Sequence, residues 1–302
     1  TLVIRACTNL ASIASLGGLT SLGGTITVRD NPVLTSLIGL ENLSTPPGGA
    51  ITIYNNSNLT DISAINYGNL NGTLEITLNP SLTSLGTLTS ITSITGKIKI
   101  SDNNALTEIS GLSGLTSVDG NIEILNNGAL TDISGLSGLT SATGGLFVRN
   151  NSLLANLSGL DNLTSLGGAL DVQNNTALRD LCGLNALVAS TNYTSYTVTG
   201  NGYNPLESDF PTNCSDPSLS TESFETLKVS FYPNPVTGNK MTLEVDKEGI
   251  YSMFNVNGQL VKKDKLIQGE NVIDITKLNT GLYFLLINDY LGASKSVKVL
   301  KN

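Results

Sequence analysis

The sequence predicts an all-β chain: a parallel β-solenoid of about eight 24-residue coils, followed by a small β-sandwich. Three observations carry this expectation. The leucine that closes the pattern N-x-x-L recurs at positions 10, 34, 59, 82, 106, 130, 154 and 178, at intervals of 23 to 25 residues, and a fixed period of this size marks a stacked repeat. Each interval contains one short apolar alternation, such as Ile122/Ile124 or Leu146/Val148, which is the period of a strand. From residue 228 onward the repeat stops and strand-like runs separated by sharp turns replace it.

Within a coil the elements follow in order. A glycine column (Gly24, Gly48, Gly72, Gly96, Gly120, Gly144, Gly168) precedes the strand. After the aligned leucine, further apolar columns fall at three and six residues, as in Leu130, Ile133 and Leu136. Period three fits neither an α-helix nor a strand, but suits 3₁₀ or polyproline-like backbone. Each coil is therefore expected to hold one short strand and two or three compact sides without a full helix. At about 4.8 Å per strand, eight coils make a rod about 38 Å long. A single coil buries too little to stand alone, so the ends of the stack need caps.

Asparagine recurs where the chain turns off the strand: Asn31, Asn56, Asn79, Asn103 or Asn104, Asn127, Asn151 and Asn175. A turn inside a stack leaves backbone groups without partners, at about 1–3 kcal/mol each. An inward amide can donate and accept at once. One asparagine of each pair is thus expected to form an inward ladder, and the other to sit on the corner, where the left-handed conformation is tolerated.

The pattern L-x-I-x-x-N-x-x-L with a following G-L-x-x-L resembles the leucine-rich repeat and, more closely, the receptor L-domain type of solenoid, over roughly residues 1–190. An extra residue between Asn and Leu and the lack of an outer helical segment favour a straighter prism than the curved horseshoe of that family. Residues 191–215, with three tyrosines, read as the C-terminal cap. Cys182 and Cys214 flank this end. A bridge between them would add roughly 3–4 kcal/mol on the chain-entropy estimate and fits an oxidising compartment. Cys7 occupies the slot where later coils carry Asn and reads as a small buried residue.

Side chains between the inward strand residues form two outward rows. Arg29, Tyr54, Lys99, Glu123, Leu125, Phe147, Arg149 and Gln173 are the candidate ligand-binding residues, since exposed aromatics and arginines anchor binding surfaces. Glu75, Lys99 and Glu123 alternate in sign, as in cross-strand pairing. Two threonine columns, one through Thr60, Thr107 and Thr131 and one through Ser44, Thr116, Thr140 and Thr164, resemble the ranks of ice-binding solenoids and supply an alternative. The acidic column Asp61, Glu108, Asp132 and Asp180 offers oxygen ligands suited to Ca²⁺, although Asp also forms turns. No metal site or cofactor is assigned.

The formal charge is −8, but it is divided: residues 1–227 hold 6 basic and 17 acidic side chains, and residues 228–302 hold 10 lysines and 7 acids. The acidic body argues against a nucleic-acid partner. The chain has no histidine, which removes His-based triads and the commonest zinc sites, and no catalytic constellation stands out. The longest apolar run, residues 281–287, is too short to span a membrane. Because the chain opens inside a repeat, an export signal ahead of residue 1 is expected to have been removed.

The polar run 216–227 reads as a linker. Beyond it, Asn257-Gly258 marks a hairpin tip, Pro233 and Pro235 suit an edge segment, and about seven short strands suggest a sandwich over 228–302. The order FYPNPV, NVNGQLV, NVIDITKLNTGLYFLLI and KSVKVLKN resembles the type A sorting domain of the Bacteroidetes type IX secretion system. The resemblance implies a translocon and a sortase as partners, with Pro233, Asn234, Pro235, Gly281, Tyr283, Lys298, Val299, Leu300 and Lys301 in the signal. It implies a secreted or outer-membrane cell-surface protein. A surface glycan or protein is the expected ligand of the solenoid.

Overall fold

The structure, a computed structural model, describes residues 1–43, 48–65, 67–216, 228–290 and 294–302. The expected linker at 216–227 lies outside the described residues apart from Asp216, as does Ser44 of the second threonine column. The chain divides into two compact units, Thr1–Leu219 and Ser220–Asn302.

The first unit is a parallel solenoid. Among the described residues its main sheet has nine strands, one more than the eight expected coils: Leu2–Arg5, Ile26–Arg29, Ile51–Tyr54, Leu74–Thr77, Ile98–Ser101, Ile122–Leu125, Leu146–Arg149, Leu170–Gln173 and Tyr196–Thr199. The register has no slip. Thr27 lies beside Thr52, then Glu75, Lys99, Glu123, Phe147, Asp171 and Thr197 in turn. A second, shorter parallel sheet joins Ser93–Ile94, Ser117–Val118, Ser141–Ala142 and Ser165–Leu166 on another side. Between the two sheets run short 3₁₀ segments such as Ser110–Leu112 and Ser134–Leu136.

Each column of the repeat has an inward destination. In one coil Ile122, Ile124, Leu130, Ile133, Leu136, Leu139 and Ala142 are all buried, and the same columns above and below extend them into one continuous core. The buried ladder comprises Asn31, Asn56, Asn79, Asn103, Asn127, Asn151 and Asn175, all fully enclosed. Each accepts at Oδ1 from the ladder residue of the preceding coil; the backbone N–H of Asn103 reaches Asn127 at 3.1 Å, and that of Asn127 reaches Asn151 at 3.0 Å. Each also donates from Nδ2 to a strand carbonyl one coil back, as Asn127 does to Ile100 at 3.0 Å. The corner residues Asn55, Asn126, Asn150 and Asn174 take positive φ, as do Asp30, Leu78 and Asp102 in the same column.

The region expected to be a cap is first a further coil. Its strand Tyr196–Thr199 carries the ladder on to Asn201, whose Oδ1 accepts the Asn175 N–H at 3.0 Å. Asn204 then closes the column by accepting the Asn201 N–H at 2.9 Å. A six-residue α-helix, Asn185–Ser190, precedes this coil and departs from the helix-free expectation. Cys182 and Cys214 are joined as a disulfide. At the other end Cys7 is half-buried rather than enclosed, and its backbone N–H donates to Asn31 Oδ1 at 3.1 Å.

Among the described residues the second unit holds seven antiparallel strands in two sheets. Val229–Tyr232, Lys240–Val245 and Gly269–Asp274 form one; Leu260–Leu266, Gly249–Asn255, Gly281–Asp289 and Ser294–Lys301 form the other. Their inner faces enclose Met241, Leu243, Tyr251, Met253, Leu285, Ile287 and Val299, the alternation a sandwich requires.

Candidate functional site

The eight candidate residues on the solenoid do not form one site. Arg29 is exposed beside Asp30 at 3.5 Å, and Tyr54 neighbours it in register. Beyond them the outward row is interrupted, because Thr77 and Ser101 are buried. Lys99 pairs with Glu75 at 3.6 Å. Glu123 is held by Lys97 at 3.4 Å, so it does not complete the expected alternation with Lys99. Half-exposed ion pairs of this kind contribute about 0–1 kcal/mol. They matter more for what they neutralise.

Leu125, Phe147, Arg149 and Gln173 do come together, on the neighbouring strands Ile122–Leu125, Leu146–Arg149 and Leu170–Gln173. Sequence reading missed the residue that organises them. Asp171 is only 7% exposed, and its carboxylate takes four hydrogen bonds. Arg149 Nε donates to Oδ1 at 2.8 Å and its Nη2 to Oδ2. Gln173 Nε2 donates to both oxygens at 2.9 Å. The guanidinium also lies over the Phe147 ring, 5.1 Å from its centroid, a cation–π arrangement. The Asp171 hydrogen bond raises the Arg149 pKa above its already high value, so the charge is permanent. The result is a fixed corner of one aromatic ring, one planar cation and one amide, ordered before any ligand arrives.

The other candidate columns are spent within the stack. Thr60, Thr107 and Thr131 donate their hydroxyls to the carbonyls of Thr35, Thr83 and Thr107 at 3.1–3.2 Å. Thr116, Thr140 and Thr164 do the same one coil back, to Thr92, Thr116 and Thr140. These threonines cross-link the coils instead of presenting free hydroxyl ranks. Along the acidic column, Asp61, Asp132 and Asp180 accept the N–H two residues on at 2.7–2.9 Å, closing the turn into a 3₁₀ segment. Among the described residues no group of three or more acids or cysteines is placed to hold a metal ion.

In the second unit the nine tail residues converge on one corner. Asn234 Nδ2 donates to Lys298 O at 3.2 Å, and its Oδ1 accepts the Leu300 N–H at 3.0 Å, which clasps the last strand. Val236 N–H extends the clasp to Leu300 O at 2.7 Å. Pro233 and Pro235 flank Asn234, and neither can donate a backbone hydrogen bond. Gly281 and Tyr283 face Lys301 and Val299 across the sheet. The Lys301 side chain is buried and its Nζ donates to the carbonyls of Ile275 and Leu278 at 2.8 and 2.6 Å. Tyr283 donates to Asn279 O at 2.8 Å.

Residues 230–302 match the family of secretion system C-terminal sorting domains. No curated protein matches the chain. The sorting tail indicates a secreted or cell-surface protein and contact with the secretion machinery. Among the described residues no helix is long and apolar enough to cross a membrane.

Proposed function

We propose that the chain is a non-catalytic binding or adhesion module that the type IX system exports, with the solenoid as cargo and residues 228–302 as signal. The observation that carries the reading is the sorting-domain match over 230–302. It supplies a reason for a rod of coils to be delivered outside the cell. The binding role is supported by the ordered corner where Arg149 and Gln173 are both held by Asp171 and the Arg149 guanidinium lies over the Phe147 ring. The resemblance of the coils to receptor L-domains points the same way. On this reading the Asn234 clasp and the buried Lys301 give the translocon a folded corner to recognise.

Deleting residues 228–302 is expected to leave the solenoid in the periplasm; normal surface display of the shortened chain would refute the sorting role. The binding role is tested separately, by applying the purified full chain to surfaces coated with polysaccharides or with proteins. Retention that falls at least tenfold in Phe147→Ala supports it, and a chain retained on none of the surfaces refutes it.

A further inference from the structure

We propose that the corner formed by Phe147, Arg149 and Gln173 binds an uncharged, hydroxyl-rich sugar ring, the pyranose unit of a neutral polysaccharide. The proposal rests on the reading of the solenoid as a binding module.

The charges of this face are paired among themselves. Arg149 is neutralised by Asp171, Lys99 by Glu75 and Lys97 by Glu123, all within the same face. A face whose ions are paired with one another has little field with which to attract a charged ligand. An acidic glycan or a strongly charged protein gains nothing here that water does not already provide.

The hydrogen-bonding groups of the corner are fixed in direction. The buried Asp171 carboxylate uses one edge of the guanidinium and the amide nitrogen of Gln173. That fixes the remaining guanidinium N–H groups as donors and leaves Gln173 Oε1 as an acceptor, on adjacent strands about 4.8 Å apart. Neighbouring hydroxyls on a sugar ring can each donate and accept, so a vicinal diol satisfies both groups together. The side chains are already immobilised by Asp171, so binding forfeits little rotamer freedom. Thr197 and Thr199, beside Asp171 and Gln173 on the next strand, continue the hydroxyl edge.

The apolar area of the corner is small. Phe147, half-buried with the Arg149 guanidinium over one face of its ring, and the half-buried Leu125 offer an area on the scale of a single pyranose. A stable protein partner needs about 800 Å² per side with an apolar centre. The rest of the outward rows consists largely of Thr, Ser and self-paired ions.

The test titrates the full chain by calorimetry with cellohexaose and mannohexaose as neutral probes and hexagalacturonate as the charged one. At least one neutral hexasaccharide is expected to bind. Phe147→Ala and Gln173→Ala are each expected to weaken that binding at least tenfold while the chain keeps its folded circular-dichroism spectrum. Thr27→Ala, five strands away in the same row, is expected to leave it unchanged. Binding of hexagalacturonate alone, or neutral binding that survives Phe147→Ala, would overturn the proposal. If no sugar binds while retention on protein-coated surfaces still depends on Phe147, the sugar assignment falls and the binding module stands. If nothing is retained on any surface, both fall.

Discussion

Replacing Asn127 by leucine is expected to lower the stability of the solenoid by about 3–5 kcal/mol, whereas Asn126→Ala, one residue earlier, is expected to cost about 1 kcal/mol. The two asparagines are adjacent in sequence and do opposite work. Asn127 is fully enclosed and connects three coils: it accepts the Asn103 N–H at 3.1 Å and donates from its amide to Ile100 O at 3.0 Å in the preceding coil, and its own backbone N–H reaches Asn151 Oδ1 at 3.0 Å in the next. Leucine fills the volume and supplies neither function. The Asn103 N–H is then buried without an acceptor and the Ile100 carbonyl loses a donor, at about 1–3 kcal/mol for each unmade bond. Asn126 holds φ +56° on the corner and bonds to Asp102 and Asn150 at the surface. Alanine there loses those bonds to water and incurs the left-handed penalty of about 1–2 kcal/mol, which asparagine itself partly bears. Urea midpoints followed by circular dichroism separate the two. Equal losses at both positions would mean that the ladder does not hold the stack together.

The second large effect is expected at Gly135, in the repeated Ser-Gly-Leu turn. A Cβ there would stand 2.0 Å from Ile109 O and 2.6 Å from its carbonyl carbon, both backbone atoms of the coil below. No rotamer change relieves such a contact, so the two coils must part. Overpacking costs about 1–3 kcal/mol where side chains can yield; with backbone on both sides Gly135→Ala is expected to reach or exceed the upper end. Gly128 has nothing within 4 Å of the same added atom. Gly128→Ala is therefore expected to be neutral or to stabilise by up to about 1 kcal/mol, through a less disordered unfolded chain. A tolerated Gly135→Ala would show that the coils are not in backbone contact at that corner.

The repeat was legible because every coil must bury the same columns, so the spacing of Leu106, Leu130 and Leu154 is a direct record of stacking. The pairing of each ladder Asn with a corner residue was legible for the same reason. Three features were not. The sheet through Ser117–Val118 and Ser141–Ala142 has strands of two residues, too short to show a period. The ninth strand was hidden because the helix Asn185–Ser190 lengthens its coil, moving Asn201 to 26 residues after Asn175. Nothing in the spacing marks Asp171, whose burial depends on Arg149 from one coil and Gln173 beside it. Phe147 and Arg149, both half-buried, could be picked from their place in the outward rows; the carboxylate that fixes Arg149 could not. In the tail, the motif residues were legible one by one, but the clasp of Asn234 on Lys298 and Leu300 joins positions more than 60 residues apart.

Successive coils lie in register, each strand beside its equivalent. Nitroxide labels at Thr27→Cys and Thr197→Cys, with Cys7 replaced by serine, test it most directly by double electron–electron resonance. Seven strand steps separate these positions in one row, so the distance is expected near 34 Å, at about 4.8 Å per step, with a narrow distribution. A broad distribution, or a mean displaced by a full coil spacing or more, would contradict the stack and with it the corner at Phe147.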